Sequence, residues 1–97
     1  MSLRGQPVEK DVTLPDGQRF VIRVAVASDA YVPRRELHTV TLELLDGDRV
    51  QATVNTVLDP AQVREARHLA HEVARRLEAG DLEPTASAIE PFADSVL

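Results

Sequence analysis

The residues best placed to do chemistry lie in one run, REARHLAHEVARRLEAG, from Arg64 to Gly80, which holds two of the three histidines. His68 and His71 are three apart, with Glu65 and Glu72 beside them. Imidazoles at that spacing on a helix can share a zinc ion, and a carboxylate can complete the set or act as a base. The pattern HLAHE matches neither H-E-x-x-H nor H-x-x-E-H, and Arg64 and Arg75 would repel a cation. The expectation is therefore no metal, with His68, His71 and Glu72 as the alternative set. On that expectation the run is a solvated face carrying the pairs His68–Glu72 and Glu72–Arg76.

A second candidate is the connection SDAYVPRRE, Ser28 to Glu36, with the only tyrosine and adjacent arginines. Tyr31 offers stacking area, and Arg34 and Arg35 offer forked donors for carboxylate or phosphate. Loops of this size on a rigid sheet often bind ligands; the plainer reading is a crossover with Tyr31 on the core rim. His38 falls at the start of a strand and reads as a core-edge residue. Ser95-Val96-Leu97 fits the loose pattern of a terminus captured by strand addition, but packing of Val96 and Leu97 on the core serves equally well.

Several chemistries are argued down. There are no cysteines, which removes thiolate nucleophiles and cysteine-based zinc sites. The four glycines fall in a leader, two turns and a helix end, and none forms a phosphate-cradling loop. No nucleophile elbow is present. A net charge of −5 is the wrong sign for a general nucleic-acid binder. The sequence points to a non-enzyme without cofactor.

The elements that must position these residues follow from pattern. Ninety-seven residues suffice for one core. Val8–Val26 reads as a hairpin around Pro15-Asp16-Gly17, with Gly17 in the left-handed position of a bulged three-residue loop. That register sets Val12 opposite Phe20 and Val8 opposite Val24, and one face collects Val8, Val12, Leu14, Phe20, Ile22, Val24 and Val26. Lys10 lies on the same face near an edge. The run LHTVTLELLDGDRVQATVNTVL reads as a second hairpin. A three-residue loop, Leu45-Asp46-Gly47, keeps the apolar faces aligned and sets Leu42 against Val50, Val40 against Ala52 and His38 against Val54. Gly47 would then repeat the role of Gly17. The shared motif, LPDGQRF and LLDGDRV, reads as two independent uses of a good turn.

Asp59, Pro60 and Gln62 predict a helix start with a capping box, and Gly80 predicts its end. Over Pro60–Ala79 the helix would be roughly 30 Å long, enough to cross four strands. Val63, Ala66, Leu69, Ala70, Val73, Ala74 and Leu77 share its apolar face, which leaves His68 and His71 in water. The fold class expected is α+β: a four-stranded antiparallel sheet from two hairpins, one face covered by a single C-terminal helix (ββββα), then a Pro-punctuated tail. The domain is 1–82. The tail, 83–97, holds Ile89, Phe92, Val96 and Leu97 and is expected to pack on the domain or on a neighbouring copy, as turns and one short helical piece. Residues 1–6 read as a frayed leader.

The expected function is a small soluble protein-interaction or assembly module, with Ile89 and Phe92 as contact residues and self-association by edge strand or tail exchange. The alternative is a binder of a small anionic ligand or nucleic acid through Tyr31, Arg34 and Arg35. No segment has the length and apolarity of a membrane span or a secretory signal, so the expected location is the cytoplasm.

Overall fold

The computed structural model describes residues 2–3, 5–27 and 39–97. Four strands, β1 (Val8–Thr13), β2 (Arg19–Val26), β3 (Val40–Asp46) and β4 (Arg49–Asn55), form one antiparallel sheet in the order β1-β2-β3-β4. Two helices follow, α1 (Val63–Ala79) and α2 (Ala86–Val96). The four-stranded sheet with a helix packed on its apolar face is the architecture expected from the sequence; α2 extends it.

The first hairpin has the expected register, with Val8 opposite Val24 and Val12 opposite Phe20. Leu14 N–H donates to Gln18 O at 2.8 Å, Gly17 N–H to Leu14 O at 3.0 Å, and Gly17 has φ +91°. Pro15 has no N–H to give the ladder, so pairing stops at Leu14 and the chain turns over three residues.

The second hairpin departs from expectation. Its ladder runs through Leu45 and Asp46, the latter opposite Arg49, and the loop is only Gly47-Asp48. Leu45 keeps the N–H that Pro15 lacks, so the strand extends one step further and Gly47, at φ +61°, becomes the first loop residue as in a type II′ turn. A two-residue loop alone would set Leu44 against Gln51 and misalign the faces. A bulge corrects this: Leu45 faces Val50 while Leu44 faces Ala52, which leaves Gln51 as the extra residue of β4. Leu42 therefore meets Val54, not Val50, and Val50 is 52% exposed. The expected pairing of His38 lies outside the described residues.

The core is aliphatic: Ile22, Val24, Val40, Leu42, Leu44 and Val54 of the sheet face Leu69, Val73 and Leu77 of α1. α1 does not cross all four strands. It packs on β1 and β2, and α2 packs on β4 and on α1. A helix is about 10 Å across and strands lie about 4.8 Å apart, so one helix covers about two strands and four require two. The tail is thus a second helix. Thr85 caps it, its hydroxyl accepting from Ala88 N–H at 3.2 Å, and Ile89 and Ala93 are buried in the common core. Pro91 sits on the exposed side of α2, where its missing N–H interrupts one turn.

Two further boundaries shift. α1 begins at Val63, after a turn in which Asp59 N–H donates to Gln62 Oε1 and Ala61 N–H to Asp59 Oδ1, both at 2.8 Å. The capping-box residues bond as a box but close this turn instead of entering the helix. The leader is not frayed in its described part: Leu3 is 2% exposed, its N–H donates to Pro60 O at 2.8 Å, and the N–H groups of Gly5 and Gln6 reach Ser2 O. No helix among the described residues is long and apolar enough to cross a membrane.

Candidate functional site

The α1 face that raised the metal question is open to solvent. His68 and His71 are both exposed and lie outside the buried stripe of Ala66, Leu69, Ala70, Val73, Ala74 and Leu77, with His71 on the flank of α1 that borders β1. Glu72 does not make the (i, i+4) pairs expected of it. Its Oε2 accepts from Arg75 at 2.8 Å, an (i, i+3) contact, while Arg76 lies over the Phe92 ring at 5.3 Å from the centroid. The Arg75 hydrogen bond, followed by the charges of Arg75, His68 and His71, holds the Glu72 carboxyl below its ordinary value. A carboxylate committed to a guanidinium is a poor third metal ligand. Among the described residues no three histidine, aspartate or glutamate side chains gather as a metal site would require.

The loop candidates Tyr31, Arg34 and Arg35 lie outside the described residues, as does His38. The tail candidates separate. Ile89 is fully buried within this chain, and Phe92 is half-buried between the core and Arg76. Val96 packs on the core and Leu97 is 40% exposed. Tyr31, Arg34, Arg35, Ile89 and Phe92 are therefore not shown to share a site.

What sequence reasoning missed is on the face of the sheet turned away from the helices. The register aligns Val21 of β2 with Leu45 of β3 and Leu45 with Val50 of β4. Leu44 points into the core, so Leu45 and its neighbours in the row point outward. The result is an apolar row across three strands, continued on β1 by Asp11 opposite Val21. Val21 and Leu45 are half-buried. Beside the row lies a groove of about 370 Å³ whose walls include Asp11, Thr13, Arg19 and Gly47. The remainder of the face is mostly polar, with Arg23, Thr39, Gln51, Thr53 and Asn55 exposed. The signal was the odd length between the apolar positions of β3 and β4, which a bulge resolves as well as a longer loop does. The chain matches no family model, no curated protein and no solved structure.

Proposed function

We propose that the protein is a non-enzymatic interaction module whose partner-binding surface centres on Val21, Leu45 and Val50. The observation that carries this reading is the bulge in β4. Without it Val50 would share the inward face of Ala52 and Val54; with it, Val50 stands beside Leu45 on the open face. Bulges commonly re-aim a side chain in this way. An apolar centre with Asp11, Arg19 and Gln51 around it has the layout of a protein–protein contact, dry in the middle and polar at the rim.

The sheet's edges are less suited to the task. β1 carries Glu9, Lys10 and Asp11 in succession and β4 carries the bulge, and both features hinder strand addition. The open face is accordingly favoured over edge pairing, and over tail exchange because Ile89 is already used in the chain's own core. The partner is a protein surface with exposed apolar side chains, and a second copy of the chain is the first to test.

Light scattering over a concentration series, on wild type, Val50→Asp and Val57→Asp, provides that test. Val57 is 77% exposed and lies outside the row, so it serves as the control. The expected result is an assembly, or a complex with a purified partner, that Val50→Asp loses and Val57→Asp keeps. A wild type and Val50→Asp with the same mass and the same retained partners overturn the proposal.

A further inference from the structure

A second recess lies on the opposite side of the molecule, where α1 meets the edge strand β1. This groove, of about 390 Å³, has Ser2, Gln6 and Pro7 among its lining residues. Val8, Val63 and Ala70 are the apolar part of its lining, and Lys10, Arg67 and His71 the basic part. Lys10 is the only lysine of the chain. It lies on the helix side of the sheet because its strand partner, Ile22, points into the core, and it remains exposed because β1 is an edge. Arg67 and His71 are one helical turn apart on α1, so they present neighbouring side chains.

Among the described residues, none of these three side chains has a hydrogen-bond or ion-pair partner. The chain carries a net charge of −5, and carboxylates to pair with are plentiful. Unpaired basic side chains are general on this surface, Arg75 being the one in an ion pair among the described residues; what sets Lys10, Arg67 and His71 apart is that they line one recess. The carboxylate of Glu9 also lines the groove, and Glu72 stands close enough to His71 to feel its charge but is bonded to Arg75. Glu9 offsets one of the two permanent cations, which leaves an excess of positive charge and donors. The first residue of α1, Val63, forms part of the wall, so the positive end of the helix dipole adds to the potential.

We propose that this groove binds a small organic oxyanion, a carboxylate or phosphate carried on a compact apolar body. Lys10 and Arg67 neutralise the anion, His71 donates a hydrogen bond, and Val8, Val63 and Ala70 receive the apolar part. The volume is that of a small-ligand site, and a few convergent polar groups over an apolar floor is the usual composition of one. The proposal does not depend on the open sheet face, which lies on the other side of the sheet.

The test is a titration of isotope-labelled protein, followed by amide chemical shifts, with four probes: phenyl phosphate, benzoate, inorganic phosphate and benzyl alcohol. Saturable shifts at residues 8–10 and 63–71 are expected with phenyl phosphate or benzoate, and the stronger of these two identifies the anionic group. Inorganic phosphate should bind more weakly, and benzyl alcohol should give no saturation. Lys10→Gln and Arg67→Gln should each weaken binding about tenfold, whereas Arg23→Gln, on the outer face, should leave it unchanged. Absence of saturation with both phenyl phosphate and benzoate at roughly 10 mM, about tenfold weaker than a millimolar site, overturns the proposal. So does equal binding by wild type and Lys10→Gln, or equal affinity for phenyl phosphate and inorganic phosphate.

Discussion

Replacing Ile89 by alanine tests whether α2 is an integral layer of the fold. The side chain has no exposed surface and joins the cluster formed by the sheet and α1. Truncation to alanine removes apolar contact and leaves a cavity, which for a buried isoleucine costs about 2–5 kcal/mol. Because α2 is anchored by only two fully buried residues, Ile89 and Ala93, it can settle partly into the space, and about 3 kcal/mol is the working value. A single domain is stable by about 5–15 kcal/mol, so the change is a large fraction of the whole. The melting temperature should fall by roughly 12–24 °C, at about 4–8 °C per kcal/mol for a chain of this size. Urea unfolding followed by far-ultraviolet circular dichroism reads the difference directly, with Val57→Ala as a control expected within about 0.5 kcal/mol of wild type. A loss below about 1 kcal/mol would refute the reasoning, because no packed isoleucine is removed so cheaply. It would mean that the sheet and α1 stand without α2.

Other substitutions probe local devices. Gly80→Ala and Gly17→Ala both force a side chain into the left-handed region, at about 1–2 kcal/mol. Gly80→Ala should cost more in thermal unfolding, because a Cβ there meets Pro15 Cγ at 3.3 Å while nothing lies within 4 Å at Gly17. Adding Pro15→Ala to Gly80→Ala should recover that excess. Asp59→Ala removes the acceptor of Ala61 N–H and should lower stability by about 1 kcal/mol in urea unfolding. For Glu72, the folded carboxyl titrates below its ordinary value because of Arg75, so the pair favours folding above the unfolded carboxylate pKa and that contribution is lost as pH falls through the folded one. Carboxyl-detected NMR should show the lowered midpoint, and Arg75→Gln should raise it.

The first hairpin and the buried stripe of α1 were legible because turn chemistry and periodicity agree there. Val12, Phe20, Leu69 and Val73 could not be moved without exposing them. The second hairpin was harder because two devices restore the same alternation, a longer loop or a short loop plus a bulge. The inward set Val40, Leu42, Leu44, Ala52 and Val54 is common to both, and only the partners differ. That ambiguity hid Val50, and with it the outward row. The tail carried its own signal: Thr85 as cap, then Ile89, Phe92, Ala93 and Val96 at helical spacing. Pro84 and Pro91 masked it, yet one precedes the cap and the other lies on the wet side. Lys10 was placed correctly at an edge, but its proximity to Arg67 and His71 depends on how α1 lies over β1, which no sequence period encodes.

The strand order has a consequence for the order in which the molecule forms. Every ladder joins strands that are neighbours in the chain, so each pairing closes a short loop and the meander can assemble by successive additions. The bond from Leu3 N–H to Pro60 O is of the opposite kind. It joins the segment before the first strand to the segment after the last, and no partly built sheet can supply it. The amino-terminal turn is therefore a latch between the segments that flank the sheet, and the hydrogen-exchange protection of Leu3 N–H reads how often that latch opens while the sheet stays paired.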